Sequence, residues 1–262
     1  MTTSKIFILF LLLTLAFPIY AGTDEGFPGR AKFPHIPYIT LEDFHRGYAN
    51  NDYVVVDARS HFEYDVIHIK NAINLSVNSD DFFVKINELA KSTPKTIVFY
   101  CNGRRCMKSY KAADKSKLSN IFVYDAGVFD WSKAYPDEAV LLGKSPMDPN
   151  DLIPSSQFKE HFISLSQFEP LILDSVLIDI RHLKERRGNG LFLLADKSVP
   201  LDNTKKLERY LNKAIKEDKI LLAYDDSGKE VRWLQYYLEE KGIKKYYFME
   251  GGAKYYSYHE PR

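Results

Sequence analysis

Cysteine is nearly missing from this chain. Its 262 residues hold two, Cys101 and Cys106, both in the stretch IVFYCNGRRCMKS from Ile97 to Ser109. Two thiols separated by four residues, with seven scattered histidines, do not supply metal-ligand spacing, so no resident metal is expected. An excess of charge is missing too: 36 Lys and Arg against 35 Asp and Glu leave a net charge of +1. Nothing global therefore argues for nucleic acid or an anionic membrane as a partner, and electrostatic recognition has to be local. No glycine-rich phosphate fingerprint follows a strand, so no cofactor is expected. Disorder-type bias is absent, and 45% hydrophobic with 27% charged residues is globular composition, enough for two domains of about 100–150 residues. Long apolar runs are limited to Ile6–Tyr20, preceded by Lys5, interrupted by Pro18 and followed by Ala21 and Gly22. That run is short against the ~20 residues of a membrane span and reads as a secretory signal over residues 1–21. Export to a periplasm or the outside is expected, with membrane contact only through that segment before cleavage and a retained anchor as the alternative. In such a compartment two nearby thiols are able to pair.

What is present is a repeating alternation of strands and helices. Thr23 to Pro37 is a lead-in rich in Gly, Pro and charge; Thr40 caps a short helix from Leu41, and Tyr53–Val56 forms a β-branched strand ending at Asp57. A helix near Asp81–Lys91, a strand at Ile97–Tyr100 and a strand at Ile121–Tyr124 follow, which implies a parallel sheet covered on both faces. The second half repeats the plan. ITLEDF at Ile39 answers to ISLSQF at Ile163, Asp57-Ala-Arg59 to Asp179-Ile-Arg181, Cys101 to Asp225 and Gly127 to Gly251, with offsets of 124, 122, 124 and 124 residues. Four ordered anchors on one period point to a duplicated domain. The boundary falls in the proline-rich stretch, giving domains at 33–140 and 157–262 with a linker at 141–156. The aromatic tail from Tyr246 to Tyr258 reads as packing and an edge strand.

Cys101 is the candidate nucleophile, because a strand that delivers a thiol into a tight turn with a helix N-terminus behind it lowers the thiol pKa. Around it the residues resemble the rhodanese (sulfurtransferase) family in its tandem form. Val54–Leu75 carries Asp57, Arg59, Glu63, His68 and Ala72 in the family's order; VFYCNGRRCMKS resembles its active loop; VYDAGVFDWSKAYP, with Gly127, Trp131 and Pro136, resembles its closing segment. The likeness covers residues 36–136. A weaker second copy runs through VLIDIRHLKERRGNG, Val199-Pro200-Leu201, ILLAYDDSGKEVRWLQYYLEEKG and Met249–Gly252, with Asp225 in the cysteine position. The resemblance implies an α/β fold of two tandem rhodanese-like domains, each a mostly parallel five-stranded sheet flanked by helices, active only in the first copy because a carboxylate cannot hold a persulfide.

The activity so implied is sulfur transfer: the Cys101 thiolate takes the sulfane sulfur of thiosulfate or a similar donor and passes it to a thiophilic acceptor. Its partners would be a small sulfur-containing anion or a low-molecular-weight thiol, with an acceptor protein as the macromolecular alternative. Asn102, Gly103, Arg104, Arg105, Cys106 and Lys108 are expected around the substrate, where loop N–H groups and cations favour negative charge on sulfur. Lys111 is expected to face solvent. Asp57 and Arg59 would fix the loops around the site, His68 would be a hydrogen-bonded turn histidine, and Trp131 and Phe129 stay open between walling the pocket and packing in the core. The loop departs from the commoner pattern, with Gly103 two residues after the cysteine and Cys106 at five, where that pattern has arginine. Lacking an arginine at the loop's end, it is a poor phosphatase site. Cys106 stays open between a resolving thiol and a small packing residue. Two rival functions stay open with it: a non-catalytic interaction module and a dithiol oxidoreductase using Cys101 and Cys106.

Overall fold

The computed structural model describes residues 26–183, 186, 190–192 and 195–259; the expected signal segment, residues 1–21, lies outside them. In chain order the elements are α1 (Pro28–Lys32), α2 (Leu41–Ala49), β1 (Tyr53–Asp57), α3 (His61–Val66), β2 (Ile67–Ile69), β3 (Ile73–Asn74), α4 (Phe82–Ser92), β4 (Thr96–Tyr100), α5 (Lys108–Ser116), β5 (Ile121–Tyr124), α6 (Gly127–Ala134) and β6 (Ala139–Leu141). The second half continues with α7 (Ser155–Glu160), β7 (Phe162–Ile163), α8 (Leu165–Phe168), β8 (Ser175–Asp179), β9 (Lys197–Ser198), α9 (Thr204–Lys216), β10 (Ile220–Tyr224), α10 (Val231–Glu240), β11 (Tyr246–Met249) and α11 (Gly252–His259). Among the described residues no helix is long and apolar enough to cross a membrane.

The molecule is α/β, with two parallel sheets flanked by helices. The first runs β3-β1-β4-β5, and Tyr38 adds a parallel bridge to Val123 at the outer edge. The second runs β9-β8-β10-β11-β7, the same order once Tyr38 is set against β7. Register repeats as well: Asp57 pairs with Tyr100 across β1 and β4, and Asp179 with Tyr224 across β8 and β10. Such strands are buried on both faces, so they are continuous apolar runs (VVV, IVFY, LLAY) rather than alternating ones. Tyr246–Met249 is not an edge strand, because Phe162–Ile163 pairs with Phe248 and Met249 and takes the edge.

Local chemistry sets the helix starts near the site. Thr40 accepts the Asp43 N–H at the head of α2, and Ser60 and Glu63 form a reciprocal capping box on α3, in which the Ser60 N–H donates to Glu63. The lead-in segment is more structured than its composition suggests. Arg30 on α1 forks onto the buried Asp125 carboxylate at 2.8 and 3.1 Å and lies over the Tyr38 ring, which ties the segment to the end of β5.

The two halves share a continuous apolar core, which runs from Phe44, Val98 and Trp131 to Val176, Leu221 and Trp233. Phe62 of α3 meets Tyr237 of α10 edge-on at 5.6 Å, and Phe129 of α6 stacks on Trp233 at 5.5 Å. The proline-rich connection runs mostly in solvent but is pinned to this core at two points: Met147 and Ile153 are buried, the Ile153 N–H donates to the Tyr236 hydroxyl, and Arg232 donates to the Ile153 carbonyl. This joint places the C-terminal ends of β4 and β10 on opposite sides of one cleft.

Candidate active site at the junction of the two halves

Strand β4 ends at Tyr100 and Cys101 follows it, fully buried. The loop then turns back on itself, with the Cys106 N–H donating to the Gly103 carbonyl at 2.8 Å, and α5 starts at Lys108. The Cys101 sulfur lies 3.3 Å from the Ser109 hydroxyl in the first turn of that helix. From the other side α6 holds the loop: the Val128 N–H donates to the Cys101 carbonyl. Gly127 makes this approach possible. Its φ is +76°, and a Cβ there would sit 2.3 Å from the Gly103 nitrogen. Cys101 and Cys106 are joined as a disulfide, with Cα atoms 6.3 Å apart, inside the span a disulfide needs. The two sulfurs differ in access, since Cys101 is buried whereas Cys106 is partly exposed and lines a cavity.

That cavity, about 670 Å³, has walls from both halves: the loop from Asn102 to Lys108, Lys111 and Phe129 on one side, and Asp225, Lys229, Glu230 and Trp233 on the other. A second recess of about 340 Å³, polar and lined by Ser60, Asn74, Ser76, Asp202 and others, adjoins it. Glu63, Lys108, Glu230 and Trp233 border both and form the divide.

A buried charge network supports the loop from below. Arg59 is inaccessible to solvent; it forks onto the equally buried Asp57, donates to the Ile67 carbonyl, and reaches the Asn102 side chain at 3.0 Å. Asn102 in turn donates to Glu63 at 3.0 Å, and Glu63 accepts from Lys108 at 2.5 Å. Lys108 also faces Glu230 of the second half at 3.8 Å. Burial works against charge on each group, yet the partners prevail. The Arg59 pKa is raised, with Asp57 the main counterweight; that of Lys108 is raised by Glu63 and then Glu230; that of Glu63 is lowered by Lys108 and then Arg59.

The Glu63 shift has a testable pH signature. A carboxyl whose folded pKa lies below its unfolded value adds stability above that unfolded value, about 4.3, and loses it as pH falls through the folded one. Glu63→Gln should cost about 1–3 kcal/mol at pH 7, and the gap from wild type should narrow as pH falls below the unfolded value and through the lowered folded one. Chemical denaturation at several pH values measures it; a gap that stays constant would show that the ion pairs add nothing.

The expected site residues divide accordingly. Asn102, Gly103, Arg104, Arg105, Cys106 and Lys108 do line the cavity, but two of the cations are engaged: Arg104 with Asp130 at 3.0 Å and Lys108 with Glu63. Lys111, expected to face solvent alone, is exposed at the cavity rim. Asp57 and Arg59 sit beneath the loop. His68 is in strand β2 rather than a turn, held by the Tyr64 carbonyl at 2.7 Å and stacked on the Tyr64 ring, and it does not border the cavity. Of the two readings left open for Trp131, the structure has the core one. The side chain is wholly buried among Phe44, Tyr48 and Tyr135 with its indole N–H on the Glu138 carbonyl, because its place on α6 points to the sheet. Trp233 provides the tryptophan wall instead. From sequence Glu63 was named only as one of the residues in the family's order, with no role at the site, and Trp233 was not singled out. Glu63 had a signal in the Ser60-x-x-Glu63 capping pattern; Trp233 had none, since only the joint of the halves brings it there.

In the second half the position of Cys101 is taken by Asp225, also at the end of the central strand. Its carboxylate accepts the backbone N–H groups of Ser227 at 2.8 Å and Val231 at 3.0 Å, and also those of Gly228 and Glu230. This loop thus holds its own anion, and Asp179 with Arg181 repeats the pair beneath it.

Residues 40–134 match the family model described as "Rhodanese-like domain". Curated relatives include proteins named tRNA uridine(34) hydroxylase. That of Photorhabdus laumondii is 31% identical over 101 residues, 37% of this chain and 28% of the relative; that of Onion yellows phytoplasma is 28% identical over 134 residues, 48% and 42%. The chain spans less than half the length of these relatives. Among solved structures, thiosulfate sulfurtransferase from Pseudomonas aeruginosa aligns with 88% of this chain and 46% of its own at 16% identity and a TM-score of 0.36.

Proposed function

We propose that this protein, whose residues 40–134 form a rhodanese-like domain, is a sulfurtransferase that moves sulfane sulfur from thiosulfate or a similar small anion to a thiophilic acceptor through a persulfide on Cys101. One observation supports this above the others: Cys101 stands at the end of the central strand, under a loop whose cationic side chains border an open cavity between the two halves. The thiolate attacks the outer sulfur of the donor, sulfite leaves with the bonding pair, and the sulfane sulfur stays on Cys101. Arg105 and Lys111 at the rim draw the anion in, while Ser109 lies at hydrogen-bond distance of the sulfur.

The second half is a structural wall in this reading, since Asp225 fills its own loop and offers no thiol. A low-molecular-weight thiol is the acceptor class that fits a cavity of this size, and export through residues 1–21 would suit a chain whose two thiols are paired. The tRNA in the relatives' names is not carried over, because the shared part is a single domain of about 100 residues.

The test is a thiosulfate:cyanide assay on the reduced full chain, with thiocyanate and sulfite appearing in equal amounts; no thiocyanate above the protein-free rate would sink the reading. The disulfide favours one second reading, a dithiol oxidoreductase. That activity would reduce a disulfide substrate without forming sulfite.

A further inference from the structure

We infer that Cys106 is a resolving thiol, and that in the absence of an external acceptor the protein releases the bound sulfur as hydrogen sulfide and closes the Cys101–Cys106 disulfide. This rests on the sulfur transfer proposed for Cys101 and adds the fate of the persulfide. The observation behind it is that the loop, folded by the Cys106–Gly103 turn, already brings the two sulfurs to bonding contact with Cα atoms 6.3 Å apart. A Cys106 thiolate so placed is aimed at the Cys101 sulfur whether or not that sulfur carries a second one. Arg105, Lys111 and Lys229 border the same cavity and favour a thiolate there.

The Cys101 thiolate attacks thiosulfate, forms a bond to the outer sulfur and expels sulfite. The Cys106 thiolate then attacks the Cys101 sulfur of the protonated persulfide. A Cys101–Cys106 bond forms, the bond to the sulfane sulfur breaks, and that sulfur departs with the electron pair as HS⁻. Two thiols are oxidised to a disulfide, and one zero-valent sulfur is reduced to sulfide. A low-molecular-weight thiol reopens the pair. Its thiolate enters the cavity and meets Cys106, because in the disulfide form Cys101 is buried beneath the loop while Cys106 borders the cavity; the Cys101 thiolate is the leaving group, and a second thiol clears Cys106 as the external disulfide.

The experiment is a single turnover of fully reduced, thiol-free full chain with thiosulfate, reading sulfite, sulfide and intact mass. Wild type is expected to give one sulfite and one sulfide per chain and to end two hydrogens lighter than the reduced protein. Cys106→Ser should give one sulfite, no sulfide, and a mass higher by one sulfur. Sulfite with a lasting persulfide and no sulfide from wild type overturns the resolving role while leaving transfer by Cys101 standing; equal sulfide from both proteins does the same. No sulfite overturns both. Brief treatment of the oxidised wild type with glutathione, then acid quench and peptide mapping, should place glutathione on Cys106; finding it on Cys101 overturns the order of attack.

Discussion

Cys101→Ser should abolish sulfur transfer, lowering thiosulfate:cyanide turnover to below about one-thousandth of wild type. The hydroxyl of serine is protonated at any usable pH, and among the described residues the side-chain neighbour within hydrogen-bond reach of the Cys101 sulfur is the Ser109 hydroxyl, which is not a base. Oxygen also forms no stable bond to sulfane sulfur comparable to a persulfide. No other group can take over. The chain has one further thiol, Cys106, and the equivalent loop of the second half presents a carboxylate already bound by four backbone N–H groups. The loss should be one of chemistry rather than of fold, since sulfur to oxygen at a buried site beside a hydroxyl is a small change in volume. Comparing both proteins in the reduced state removes the disulfide as a variable, and near-equal urea midpoints with the activity gone would separate the two. A Cys101→Ser protein that still makes thiocyanate at a tenth of the wild-type rate would mean that the sulfur is carried elsewhere.

Much of the architecture was legible because it depends on local pattern and on repetition. Runs of β-branched and aromatic residues that end at Asp57, Tyr100 and Tyr124 mark strands buried on both faces, and the period of about 124 residues gives the second sheet from the first. The place of Cys101 followed from the same pattern. What was hidden depends on where the halves meet. Trp131 and Trp233 are alike in sequence as single tryptophans on helices; only packing decides that one faces the sheet and the other the cleft. The engagement of Lys108 was likewise invisible, since Glu63 lies 45 residues away and Glu230 belongs to the second half. Proline content marked 141–156 as a linker, but the anchoring of Met147 and Ile153 was hidden, because the joint of the halves is what buries their apolar surface.

Arg59→Met should cost about 3–5 kcal/mol, the largest stability effect of any single substitution near the site. The guanidinium is the sole cation within hydrogen-bond reach of the buried Asp57 carboxylate among the described residues, and it also satisfies the Ile67 carbonyl and the Asn102 side chain. Taking it away leaves a negative charge in the interior with no partner of opposite sign, whereas removing both charges leaves a void that apolar groups can fill. The double variant Asp57→Leu/Arg59→Met should therefore be more stable than Arg59→Met alone, a non-additivity that simple loss of packing does not produce. Chemical denaturation of wild type, Asp57→Leu, Arg59→Met and the double variant measures it, and a cost below about 1 kcal/mol for Arg59→Met would show that the pair is dispensable. Arg59→Lys separates charge from geometry: lysine keeps the positive charge but cannot fork onto Asp57 while holding Asn102. It should recover part of the stability and little of the rate, because Asn102 follows Cys101 directly and its tether to Arg59 and Glu63 is what fixes the start of the loop above the sulfur.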